Sequence, residues 1–177
     1  MEYKSYQRMF KESWWELEEQ SRKQIVNPQQ ENDVVCFLYH ALAKRLEKKG
    51  WPLHLIRTED TRYIGKRRLR VDINLNDRLF VEVKIYPLGK YSNGWKAKLR
   101  NIEYTIGKLE EYKTEVESRT GILVRIPILA LWFWKNEDIR EYPIKDKLIG
   151  TDLLQKLKSV RAQYKGRFTI MYGPTED

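Results

Sequence analysis

The sequence predicts an α/β fold, a central mixed β-sheet flanked by helices, and three features lead there. Apolar residues recur at helical spacing through the first 50 positions, then at a period of two between Leu53 and Tyr86. A second long helical pattern and a short, apolar, β-branched stretch follow. No repeat and no Pro/Gly/Ser-rich linker divides the 177 residues, so residues 1–177 are read as one domain.

Residues 4–24 read as a helix, with Tyr6, Phe10, Trp14 and Leu17 on one face. Asn27-Pro28 breaks that pattern and opens a second helix: Asn27 suits the cap, Pro28 the first turn, and Gln30 the third position of a capping box. Val35, Leu38, Leu42 and Leu46 form its inner face, and Gly50 ends it. Cys36, in the run VVCFL, reads as a small core residue. Leu53, Leu55 and a turn around Asp60 suggest a first strand. Leu69, Val71, Ile73 and Leu75 alternate with polar residues in a second, and Leu79, Val81, Val83 and Ile85 mark a third.

After a loop containing Pro87, Gly89 and Gly94, a long amphipathic helix carries Trp95, Leu99, Ile102, Ile106, Leu109 and Val116. GILVRIPILALWFW reads as buried strand interrupted at Pro127, its aromatic run Trp132-Phe133-Trp134 included. A helix through Leu153, Leu157, Val160 and Tyr164 and a strand near Arg167–Tyr172 complete the order ααβββαβ(β)αβ.

Composition narrows the function. Hydrophobic residues at 41% and charged residues at 33% fit a folded, highly charged globule. The chain has no apolar run long enough for a membrane helix. Its first 20 residues lack the apolar segment of a secretory signal, so a cytoplasmic protein without membrane partners is expected, in the host cytoplasm if the source is viral. A single cysteine excludes a disulfide framework, a cysteine-ligated iron–sulfur cluster and a four-cysteine zinc site. His40 and His54 lack zinc-ligand spacing. A net charge of +9 points to a polyanionic partner.

The chemistry concentrates on the second and third strands, in the pattern RVD-(nine residues)-EVK. A three-residue loop, Asn76-Asp77-Arg78, pairs Leu75 with Leu79, Ile73 with Val81, and Asp72 with Glu82. If the apolar rows pack on one layer, Asp72, Glu82 and Lys84 share the opposite face, the two carboxylates with Cβ atoms roughly 5 Å apart. Two such charges repel unless a cation lies between them, and oxygen ligands suit Mg²⁺, Mn²⁺ or Ca²⁺. Lys84 can hold a nucleophilic water or neutralise charge developing on phosphate. A simply wetted polar face is the plainer alternative. Glu31 is in phase with Val35, Leu38 and Leu42, so its carboxylate should face inward and need a partner; the other reading is a favourable charge at the helix N-terminus. Arg62, Lys66, Arg67, Arg68 and Arg70 before the acidic pair, and Lys90, Lys96, Lys98 and Arg100 after it, form a basic rim suited to nucleic-acid phosphates. No P-loop spacing and no Gly-x-Ser-x-Gly or Cys–His pattern offers another chemistry.

A Glu on the first core helix, an Asp, a Glu-x-Lys on the adjacent strand and then a helix together resemble the PD-(D/E)xK nuclease superfamily. The resemblance covers about residues 27–135. It implies a restriction-endonuclease-like core; the helical extension over 1–24, expected to serve a homodimer, and the C-terminal helix and strand over 136–177 lie outside the resemblance. It further implies Mg²⁺, replaceable by Mn²⁺, held by Asp72, Glu82, the carbonyl of Val83 and Glu31, with Lys84 positioning or activating water. Val71 stands where the family name has Pro. Lys108-x-x-x-Tyr112 is the nearest approach to the Gln-x-x-x-Tyr motif of the recombination-exonuclease branch, with no Gln. The compact basic layout looks more like archaeal Holliday-junction resolvases and small virus- or plasmid-encoded nucleases. A metal-dependent DNA endonuclease, acting on duplex or branched DNA in recombination or repair, is therefore expected. The alternatives are a non-catalytic nucleic-acid-binding protein and a ribonuclease on the same scaffold.

Overall fold

The computed structural model describes residues 3–64, 66–88, 95–124, 126–135 and 151–173. Its elements run α1 (Tyr3–Arg22), α2 (Glu31–Lys48), β1 (Ile56–Ile64), β2 (Arg67–Leu75), β3 (Leu79–Leu88), α3 (Trp95–Thr120), β4 (Ile128–Lys135), α4 (Thr151–Gln163) and β5 (Thr169–Gly173). The strands form one sheet in the order β1-β2-β3-β4-β5. The first three make an antiparallel meander; β4 lies parallel to β3, and β5 parallel to β4. An α/β architecture with a mixed sheet flanked by helices is thus what the chain adopts. Among the described residues no helix is long and apolar enough to cross a membrane.

Both faces of the sheet are covered. On one, Tyr6, Phe10, Trp14 and Leu17 of α1 and Leu38, Leu42 and Leu46 of α2 pack against Ile73, Val81, Val83, Ala130 and Trp132. On the other, Ile102, Ile106, Leu109 and Tyr112 of α3 and Leu157 of α4 pack against Val71, Phe80, Leu129, Leu131 and Phe133. Neither flank is an appendage: α1 supplies much of the first core, and β5 extends the sheet.

Several expectations change. The second helix begins at Glu31 rather than at Asn27-Pro28, because Asp33 accepts the backbone N–H of both Gln29 (3.0 Å) and Gln30 (2.9 Å). Gly50 does end it: with φ +66 it lets its own N–H reach Glu47 O and that of Trp51 reach Leu46 O. Cys36 is exposed, since core packing selects Val34, Val35, Leu38 and Ala41 instead. Leu53–Leu55 is a turn of 3₁₀ helix, and Asp60 lies within β1 rather than in a turn. Pro87 belongs to β3, while Gly89 and Gly94 lie outside the described residues. The apolar stretch becomes strand only after Pro127, at Ile128.

The hairpin register is as expected, with Ile73 opposite Val81, Asn74 opposite Phe80 and Leu75 opposite Leu79. Asn76 and Asp77 both take left-handed backbone angles (φ 53 and 55), which their short polar side chains tolerate. The Asn74 side-chain oxygen accepts the Asp77 N–H at 2.9 Å and fixes the turn.

The facing of β2 differs from expectation. Leu69 and Val71 join the α3 side, whereas Ile73 and Leu75 join the α1/α2 side. Strict alternation fails at Asp72. The pairing of β1 with β2 passes over Glu59 opposite it, and Glu59 has φ +52. The row Phe80, Glu82, Lys84, Tyr86 is not a wetted face, because α3 covers it; Glu82 is 2% exposed.

Candidate active site

Asp72 sits at the point where β2 changes face, and this gives its side chain an unusual job. The paired residues of β2 and β3 stop at Ile73 and Val81, one pair short of Asp72 and Glu82. In place of a ladder bond, the Val83 N–H donates to Asp72 Oδ2 at 2.6 Å. The expected direct pairing of the two acids is therefore replaced by a carboxylate lying against the neighbouring backbone. Burial, and then the charge of Glu82, push the Asp72 carboxyl up to about 6. Glu82 is near enough for its charge to act on Asp72.

Lys84 closes the group. Its Nζ lies 3.1 Å from Glu82 Oε1 and 3.1 Å from Glu31 Oε2, and donates to the carbonyl of Val83 at 2.9 Å. Burial alone pulls its ammonium down, but the charges of Glu82, Asp72 and Glu31 outweigh that and hold it above its ordinary value. Lys84 is a fixed cation at neutral pH. Glu31 is half-buried in the first turn of α2 and reaches the site through Lys84 rather than by meeting the carboxylate pair itself.

Lys108 completes the group, a partner of Glu82 that the sequence reading did not place there. Its ammonium donates to Glu82 Oε1. It lies one turn before the buried Tyr112 on the inner face of α3, so the Lys-x-x-x-Tyr spacing was the available signal. Glu82 Oε1 is thus claimed by two ammonium groups, while Glu82 Oε2 is buried with no hydrogen-bond partner.

Beyond Tyr112 a second polar network buttresses the hairpin. Asp60 accepts from Tyr112 OH and from Asn74 Nδ2 (2.6 Å), and Asp77 accepts from Asn74 (2.8 Å), Arg62 (3.0 Å) and Arg57. Arg62, expected in the basic rim, is committed to this network. Lys98 is buried, its ammonium pulled down by the loss of water. Lys66, Arg67, Arg68, Arg70 and Arg100 are exposed, with Arg67 paired to Glu111 and Arg70 to Glu59. Lys90 lies outside the described residues, as does the side chain of Lys96.

Comparison of the chain with known proteins matches no family model, no curated protein and no solved structure. The chemistry must be read from the geometry. Among the described residues no three His, Cys, Asp or Glu side chains gather closely enough to hold a metal by themselves. What does gather is a set of oxygens around one positive charge: Lys84 Nζ contacts Glu82 Oε1, the Val83 carbonyl and Glu31 Oε2. The unbonded Glu82 Oε2 and the raised Asp72 carboxyl belong to the same cluster. Two carboxylates and a carbonyl, the rest of the shell being water, suit the small hard cation Mg²⁺.

Proposed function

We propose that the chain is a metal-dependent deoxyribonuclease of the PD-(D/E)xK type, built on a restriction-endonuclease-like core. The observation that carries this reading is the unpartnered, buried Glu82 Oε2 beside an Asp72 carboxyl of raised proton affinity. A protein gains nothing in stability from such a pair, so a cation is the natural complement. The meander β1–β2–β3, followed by α3 and a β4 parallel to β3, is compatible with the core that the motif implies.

Asp72, Glu82 and the Val83 carbonyl would hold Mg²⁺ or Mn²⁺. Such an ion, when bound, lowers the pKa of a water and offsets charge developing on phosphate. The chain's own groups do the rest. Lys84, its ammonium favoured by the neighbouring carboxylates, donates hydrogen bonds and so orients water or neutralises phosphate oxygens. Glu31 fixes the position of Lys84, and Lys108 fixes Glu82. Exposed Lys66, Arg67, Arg68, Arg70 and Arg100 would supply backbone contacts to duplex or branched DNA.

The test is incubation of pure protein with supercoiled, linear and branched DNA, and with RNA, in Mg²⁺, in Mn²⁺ and in EDTA. Metal-dependent cleavage of DNA that disappears in Asp72→Ala and Lys84→Ala is expected. Salt-dependent binding without cleavage, undiminished in Asp72→Ala, supports instead a non-catalytic nucleic-acid-binding protein.

A further inference from the structure

The C-terminal helix and the edge strand build a second site, far from the basic rim in sequence. A groove of about 450 Å³ opens between α1, α4 and the turn into β5. Lys11 of α1, Lys158 and Arg161 of α4 and Lys165 of the turn line it, and among the described residues no acidic side chain does. Lys158 and Arg161 stand three residues apart on α4, so they are neighbours on its surface. None of the four cations has an ion-pair partner among the described residues.

A larger groove, of about 650 Å³ between α1 and α2, has acids beside part of its cations. Arg8, Lys44, Arg45, Lys48 and Lys49 line it; Arg8 is held by Glu12 at 2.7 Å and Arg45 by Glu16 at 2.8 Å. Among the described residues, the groove at α4 has no such acids. Four like charges on one concave wall repel one another, and a bound polyanion relieves that repulsion.

Strand register fixes where this wall lies relative to the β3 site. Thr169, in the groove, pairs with Ile128, which pairs with Val81, the residue before Glu82. Two interstrand spacings place these backbones roughly 10 Å apart. Each strand of a duplex carries a phosphate about every 3.4 Å of axis, so several phosphates fall within that span. We propose that the groove formed by Lys11, Lys158, Arg161 and Lys165 binds backbone phosphates of a nucleic acid. It rests on the nucleic-acid half of the proposed function and is independent of the hydrolytic half.

The experiment is titration of a short fluorescent DNA duplex with protein in EDTA, across a salt series. Lys158→Glu/Arg161→Glu should weaken binding by about tenfold or more and make the log K against log salt slope shallower by about 2, with an unchanged melting temperature. The milder Lys11→Gln/Lys165→Gln pair should move both quantities the same way. Unchanged affinity and slope in both pairs would overturn the inference. So would equal competition by polyglutamate or by inorganic phosphate, which identifies an acidic peptide or a single-anion site. Because EDTA removes the divalent ion, groove-dependent binding stands even where Mg²⁺ or Mn²⁺ assays show no cleavage, and the two readings fail separately.

Discussion

Lys84 and Glu31 are 53 positions apart in the chain and 3.1 Å apart in space. The contact ties the N-terminal turn of α2 to the middle of the sheet. It also directs the ammonium toward the Val83 carbonyl and Glu82. If this contact positions the cation, Glu31→Gln should lower the rate of cleavage by about tenfold, while Lys84→Met lowers it by at least about a hundredfold. Binding of DNA in EDTA should change little in either. A Glu31→Gln enzyme as inactive as Lys84→Met would show that Glu31 does more than orient its partner.

Asp72 makes stability depend on pH in a definite direction. Its carboxyl is raised in the folded state to about 6, so the native protein binds the proton more tightly than the unfolded chain does. The contribution is unfavourable above that value and is relieved as the pH falls toward 4. A shift of this size corresponds to on the order of 3 kcal/mol. Asp72→Asn keeps an oxygen for the Val83 N–H and removes the charge. Urea unfolding in EDTA should therefore find the variant more stable than wild type at pH 8, with the advantage gone near pH 4. A difference that stays flat across that range would count against a buried, raised carboxyl.

Divalent ions should largely cancel that advantage. A ligand bound only by the folded state stabilises it by RT ln(1 + [L]/Kd), about 2.7 kcal/mol at a hundred times Kd. Mg²⁺ or Mn²⁺ is expected to raise the melting temperature of wild type, with EDTA restoring the original value, and to leave Asp72→Asn unmoved. Equal shifts in both proteins would place the ion elsewhere.

Lys108 is tested through coupling. Its loss leaves Glu82, almost wholly buried, with Lys84 as its one remaining ammonium partner among the described residues. Lys108→Met should destabilise the fold by about 2 kcal/mol, less than the loss of a fully isolated pair because Lys84 remains. Combined with Glu82→Gln, the two changes should cost less than their sum, the difference exceeding about 1 kcal/mol in a double-mutant cycle. Strict additivity would mean that the contact carries no energy.

Much of the site was legible because hairpin geometry is local. Period-two patterning and the Asn76-Asp77 turn chemistry specify the pairing of Ile73 with Val81 and of Leu75 with Leu79. That register brings Asp72 to the neighbourhood of Glu82, while the side-chain period of a strand groups Glu82 with Lys84. The inward phase of Glu31 on α2 was likewise readable, though its partner was not.

The sequence by itself determined the order of the elements, the hairpin and which segments are apolar enough to be covered. Tertiary structure alone decided that β2 changes face at Asp72, that α3 closes over Glu82 and brings Lys108 to it, and that α1 and β5 are built into the core rather than appended. The reason is physical. Periodicity records which side of an element is apolar, but a strand buried on both faces carries no record of which helix covers which side. Contacts across dozens of residues follow from the packing of whole layers, and no local pattern encodes them.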